Sequence, residues 1–161
     1  MSQSHPPPEA LAALGKVVSG VFVVTARRGG SETGMLGSWV QQCSFDPPQI
    51  TMAVARDRPI LEWLTEDAPF TVNILAEGEK QLLKHFSRGF GLGEPAFDGL
   101  EVEHRGKGGP VLAAALAYLE CRVAGRVPVG DHDLIIGRVV GGGILHEGRP
   151  KTHVRNSGAH Y

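Results

Sequence analysis

Three places in the 161-residue sequence carry residue types suited to chemistry. Arg56-Asp57-Arg58 sets two guanidinium groups beside a helix-start signal, which suits a phosphate held by charge-assisted hydrogen bonds, or equally a solvated pair of arginines. His132 follows Gly130-Asp131 at an expected hairpin turn, so it is either available to a ligand or simply a polar turn residue. The third is the stretch Gly34 to Pro48. It has strand character, yet Ser38, Gln41, Gln42 and Ser44 stand where a plain core strand would carry Val or Ile. Small and amide-bearing side chains in such a strand suit a backbone that faces a ligand. Trp39 and Trp63 can stack on a ring or fill the core.

Other chemistries find little support. Gly89-Phe90-Gly91-Leu92-Gly93 and Gly106-Lys107-Gly108-Gly109 lack the strand-loop-helix setting of a nucleotide loop. His146, His153 and His160 are spaced by seven, without the close pairing of a metal motif, so no metal is expected. Cys43 and Cys121 lie in strand-like runs and indicate neither a disulfide framework nor a zinc knuckle. No Gly-x-Ser-x-Gly elbow points to a hydrolase.

The elements that must position these residues are mostly strands. Apolar spacing predicts a short helix over Glu9 to Val18, after a disordered arm over residues 1–8 with its three prolines. Val21 to Thr25 is a strand, and Arg27-Arg28-Gly29-Gly30-Ser31 turns it into the Gly34 to Pro48 strand, which Asp46-Pro47-Pro48 stops. Gln49 to Ala55 alternates as a strand, Asp57 starts a helix with Ile60, Leu61 and Leu64 as its stripe, and Phe70 to Leu75 is a strand again. Glu79 to Phe86 has helical spacing, and Gly89 to Gly109 reads as an exposed loop. Leu116 to Val127 and Leu134 to Leu145 are long strands, the second with a bulge expected at Gly141-Gly142-Gly143. This count favours a small antiparallel barrel with short helices over a parallel sheet.

Composition agrees. A chain 42% apolar and 20% charged describes one globular domain over residues 9–161, and 22 glycines favour turns over a helical bundle. A net charge of -1 gives no reason to expect nucleic acid. The residues from Met1 to Glu9 lack a signal-like apolar core and no run is long enough for a membrane span, so a cytoplasmic location without membrane association is expected.

Several ordered motifs carry a family resemblance. They are Ser38-Trp39-Val40-Gln41-Gln42 with Ser44-Phe45-Asp46-Pro47-Pro48, then Ala53-Val54-Ala55-Arg56-Asp57-Arg58, and Phe70-Thr71-Val72-Asn73-Ile74-Leu75. Lys84-His85-Phe86, Ala115 to Cys121, Gly130-Asp131-His132 and Ser157-Gly158-Ala159-His160-Tyr161 complete the set. With these the chain resembles the flavin reductase-like proteins, and most closely the flavin reductase module at the C-terminus of cyanobacterial flavodiiron proteins.

That resemblance implies a mainly β fold, a six-stranded antiparallel Greek-key FMN-binding split barrel, and a homodimer with flavin near the subunit interface. It implies an NAD(P)H-dependent flavin reductase that binds FMN, with FAD as the alternative, and passes electrons from NADH or NADPH onward as free reduced flavin or to a partner protein. Carried over by position, Ser38, Trp39, Val40, Gln41, Gln42 and Cys43 line the flavin ring, while Ala55, Arg56 and Arg58 lie near the ribityl chain and phosphate. Lys84, Phe86 and Arg88 approach the same cofactor, and His132 is the catalytic-site residue beside the nicotinamide. Leu36 stands where many relatives have Thr or Ser. Hydride transfer from nicotinamide C4 to flavin N5 then asks the protein to stack two rings and to stabilise charge near flavin N1 and the C2 carbonyl. The alternatives are a non-enzymatic FMN-binding electron carrier or storage flavoprotein, flavoredoxin-like, and a heme-binding relative on the same barrel.

Overall fold

The structure is a computed structural model that describes residues 5–161; the first four residues of the expected arm lie outside the described residues. Helix α1 (Pro8–Leu14) opens the fold one residue earlier than expected and ends well before Val18, its start fixed by proline in the first turn. Strands β1 (Ser19–Gly20), β2 (Phe22–Arg28), β3 (Ser31–Gly37), β4 (Val40–Phe45), β5 (Pro48–Ala55) and β6 (Pro69–Ile74) follow. Helix α2 (Gln81–Ser87), β7 (Val102–Glu103), β8 (Val111–Leu112), β9 (Ala117–Val129), β10 (His132–Ile144) and β11 (Thr152–His153) complete it.

Seven strands form one antiparallel sheet in the order β3-β2-β6-β9-β10-β5-β4. The mainly β class stands, but the sheet has seven strands where six were expected. The stretch from Gly34 to Pro48 is the reason: it leaves the ladder at Ser38 and Trp39, and its halves pair with different neighbours, β3 with β2 and β4 with β5. A flat sheet would separate its two edge strands by about 29 Å at the usual spacing, whereas the three virtual bonds from Gly37 to Val40 reach only about 11 Å. The sheet must therefore curl until its edges meet at Ser38-Trp39, which makes a barrel with a split between β3 and β4.

Two apolar clusters fill the structure. The first, inside the curl, gathers Val24, Met52, Val54, Leu64, Phe70, Val72, Cys121 and Ile135. The second lies outside β2 and contains Val23, Leu75, Leu82, Phe86, Phe90, Ala96 and Leu112. β2 is thus buried on both faces, which explains its unbroken Phe22-Val23-Val24 run. The stretch from Gly89 to Gly109 is more than an exposed loop. Phe90 packs edge-on to Phe86 with ring centroids 5.7 Å apart, and Ala96 is buried, so this segment caps the second cluster.

The helix expected after Asp57 shrinks to a single 3₁₀ turn, Pro59–Glu62, capped at Arg58 without a side-chain hydrogen bond. Its apolar residues still serve the core, since Ile60, Leu61 and Leu64 are all buried. The bulge expected in the glycine run is present as a register shift between Val139 and Gly141, and a second shift falls at Ile136/Gly137.

Candidate active site

The split between the sheet edges opens into a cleft of about 300 Å³. β5 supplies one wall. Its even positions Ile50, Met52 and Val54 are buried, so the odd positions face the other way, and there Ala53 and Ala55 leave space that larger residues would fill. Met35, Leu36 and Gly37 of β3 and Ser38 form the facing edge.

Helix α2 closes the third side with Leu83, Phe86 and Ser87, one face of the helix at the spacing of three and four residues. Its first turn is held by the Leu82 N–H donating to Glu79 Oε1 at 2.9 Å. Gly34 lets it approach β3: a Cβ there would lie 2.7 Å from the Phe86 ring. His153 and Tyr161, brought back by the segment after β10, complete the lining.

Arg58 brings charge to this cleft. Preceding Pro59, it is held extended, and its guanidinium enters no ion pair among the described residues. Arg56 differs. Its Nε donates to Asp133 Oδ1 at 3.0 Å, and Arg126 donates to Asp133 Oδ2 at 2.7 Å. The hydrogen bonds from Arg56 and then Arg126 hold the Asp133 carboxyl below its ordinary pKa. Arg56 thus has its Nε engaged on the barrel wall, while its side chain stays about half exposed.

His132 opens β10 opposite Ala55 of β5 and does not line the cleft. Its Nδ1 lies 2.6 Å from Asp131 Oδ1, and its Nε2 lies 3.1 Å from the Tyr161 hydroxyl. With Nδ1–H donating to the carboxylate, Nε2 accepts from Tyr161. The hydrogen bond from His132 lowers the Asp131 pKa, and burial raises that of Tyr161. Trp39 packs beside both rings, 5.0 Å from His132 and 5.2 Å from Tyr161 between centroids, with the Arg155 guanidinium 4.9 Å over its own ring. The two nitrogens of His132 are thus spent, and Tyr161 stands on the cleft wall in its place.

Of the residues named from the sequence, Ser38, Ala55, Arg58 and Phe86 line the cleft together. Trp39 backs it through Tyr161. Val40, Gln41, Gln42 and Cys43 run along β4, the last three exposed on an edge strand whose outer side has no strand partner among the described residues. Lys84 is exposed on α2, and Arg88 lies over the Phe90 ring at 4.5 Å. Sequence reasoning missed Leu83, Ser87, His153 and Tyr161. The helical face around Phe86 was a usable signal for the first two. For Tyr161 the closing motif Ser157 to Tyr161 was a signal without an assigned site role, and for His153 there was none, because only the return of the chain onto the barrel brings it there. Among the described residues no cluster of three or more His, Cys, Asp or Glu could hold a metal ion, and no helix is long and apolar enough to cross a membrane.

Residues 14–158 match the family described as the flavin reductase like domain. The chain belongs to that family. Among flavin reductase-like relatives, a curated protein of Nostoc named putative diflavin flavoprotein A 6 is 42% identical over 163 residues, covering 99% of this chain but 28% of its own length. The chain thus spans roughly a quarter of the curated relatives it matches. Among solved structures, the Streptomyces globisporus NADH:FAD oxidoreductase SgcE6, in complex with NAD and FAD fragments, superposes with a TM-score of 0.79 at 25% identity. That alignment covers 89% of this chain and 85% of the other. The flavin reductase PheA2 gives 0.77 at 29% identity, covering 89% and 90%. Both matches reach nearly full length, so the split barrel and its cleft fall within the shared flavin reductase fold.

Proposed function

We propose that this cleft binds a flavin, FMN first and FAD as the alternative, and that the protein reduces it with NADH or NADPH and passes the electrons to an acceptor. One observation carries the reading: the cleft has flat apolar walls in Met35, Leu36, Ala53, Leu83 and Phe86, and its cation, Arg58, is free of ion pairs among the described residues. That donor set suits a planar ring system bearing a phosphate. Nicotinamide and flavin fragments bound to SgcE6 support it by analogy.

A bound flavin supplies the two-electron chemistry at its N5 position. The protein's own part is to bind, orient and exclude water. Ala53 and Ala55 leave room for the ring face, Leu83 and Phe86 remove it from solvent, and Ser38 offers a hydroxyl at its edge. Arg58 holds the phosphate through charge-assisted hydrogen bonds. The backbone of Val40 to Cys43 and the side chains of Lys84 and Arg88 stand outside this first ring of contacts, and we assign them to the cleft rim of a homodimer. The unpaired β4 edge and the 90% exposed Phe45 support such a dimer, since an open edge strand and a bare aromatic ring favour a covering partner. A cytoplasmic home and an electron-accepting partner protein accompany the reading.

Anaerobic titration of the flavin-loaded protein with each nucleotide tests it. Bleaching of the flavin absorbance within seconds is the expected result. A spectrum unmoved by either nucleotide yet bleached by dithionite overturns it in favour of an electron carrier.

A further inference from the structure

Hydride transfer requires two rings face to face, and a cleft of about 300 Å³ sits at the low end of small-molecule pockets. A wall that can move would add room for the second ring. Most walls cannot. Met35, Leu36 and Gly37 belong to the β3 ladder and Ala53 to Ala55 to the β5 ladder, while Phe86, 2% exposed, is locked in the second core cluster.

Tyr161 is different. It is 64% exposed, and its ring is held by one hydrogen bond to His132 and tilted ring contacts with Trp39 and His132. The backbone of its segment is tied to α1 by the Gly158 N–H donating to the Leu11 carbonyl at 2.6 Å, and the Ala159 N–H donates to Ser157 Oγ. Among the described residues no backbone N–H bond holds His160 or Tyr161. The segment is therefore pinned two to three residues before the ring.

We propose that Tyr161 is the gate of this cleft, a side chain that the incoming nicotinamide displaces and that thereby sets nicotinamide affinity. The proposal rests on the reductase reading above. Displacement is chemically balanced at His132. In the neutral imidazole with Nδ1–H bonded to Asp131, Nε2 is an acceptor, and a carboxamide N–H of the nicotinamide can replace the Tyr161 hydroxyl as its donor. Trp39 loses one aromatic neighbour and gains another. His132 is then a positioning residue for the gate when it is shut and a ligand contact when it is open.

A closed gate lowers apparent affinity by the fraction of time it stands open, so removing it tightens binding. The test compares flavin-loaded wild type, Tyr161→Phe and Tyr161→Ala in a Trp63→Phe background, which leaves Trp39 as the reporting indole. Stopped-flow reduction over a range of NADH and NADPH concentrations should show the nicotinamide Kd falling about tenfold in Tyr161→Ala and less in Tyr161→Phe, which loses only the hydroxyl latch. Flavin should also enter and leave faster in Tyr161→Ala than in wild type. Adding NAD+ to wild type should shift Trp39 emission toward that of nucleotide-free Tyr161→Ala.

A nicotinamide Kd that is unchanged or weaker in Tyr161→Ala overturns the gate, making Tyr161 a bystander or a fixed contact. If neither nucleotide reduces the wild-type flavin, the reductase reading is what fails. The gate is then judged on flavin exchange rates alone, and rates equal in wild type and Tyr161→Ala overturn it as well.

Discussion

Two regions of the same sheet treat polar groups in opposite ways. Outside β2 and β6 the segment Gly108-Gly109-Pro110 is strapped down. Thr25 Oγ1 donates to the Pro110 carbonyl at 2.7 Å, Thr71 Oγ1 to the Gly109 carbonyl at 3.0 Å, and Asn73 Nδ2 to Val23 and Pro110 carbonyls at 3.2 and 3.3 Å. Asn73 Oδ1 in turn accepts from the Leu112 N–H at 2.9 Å. At the split, Arg58 is left without an ion pair among the described residues and the wall positions carry alanine. The strap uses its polar groups to fix backbone; the cleft keeps them for a ligand. Substitutions should therefore cost stability at the strap and affinity at the cleft, with little exchange between the two.

The strap side should show the largest effects. A Cβ at Gly109 would collide with the Ala26 amide nitrogen and the Thr25 carbonyl carbon, both backbone, so nothing flexible can give way. Gly109→Ala should cost about 3 kcal/mol or more and lower Tm by about 6–12 °C in a thermal melt. Asn73→Ala strands the buried Leu112 N–H and should cost about 2 kcal/mol, or about 4–8 °C. If either variant melts like wild type but loses flavin, the division of labour is wrong.

On the cleft side, Arg58→Ala should leave Tm nearly unchanged and weaken FMN by about 1.5–3 kcal/mol, roughly ten- to a hundredfold in Kd by fluorescence titration. Full flavin occupancy at limiting FMN would remove Arg58 from the phosphate. Asp133 sharpens the boundary, since it engages Arg56 Nε on the barrel wall. Its depressed pKa means its stabilisation is complete above the ordinary carboxylate value of 3.8 and fades as acid protonates the folded carboxyl below that. Asp133→Asn should lower Tm at pH 7 modestly and flatten the fall in Tm below about pH 4. A variant with the wild-type acid profile would show that this carboxyl contributes nothing to it.

The sequence made most strands legible because alternation survives wherever one sheet face is buried, as along β5 and the first half of β9. It hid the break at Ser38-Trp39. No proline marks that point, and the break is imposed by pairing with two distant neighbours. The helix after Asp57 was overread because a stripe of Ile60, Leu61 and Leu64 fits one tight turn plus a loop as well as it fits a helix. Ser38, Ala55, Arg58 and Phe86 were legible through ordered motifs that span the barrel. His132 was legible as a position, but its bond to Tyr161 was not, since it joins residues 29 apart.

The crossing at Ser38-Trp39 also has a mechanical side. Two residues tether the outer strands of a seven-stranded sheet, so the width of the opening is set by covalent reach as much as by side-chain packing. Lengthening this tether would let the strands drift apart without altering a single wall residue, and shortening it would draw them shut. Natural variation in the length of this link would then tune which ligands such a barrel admits.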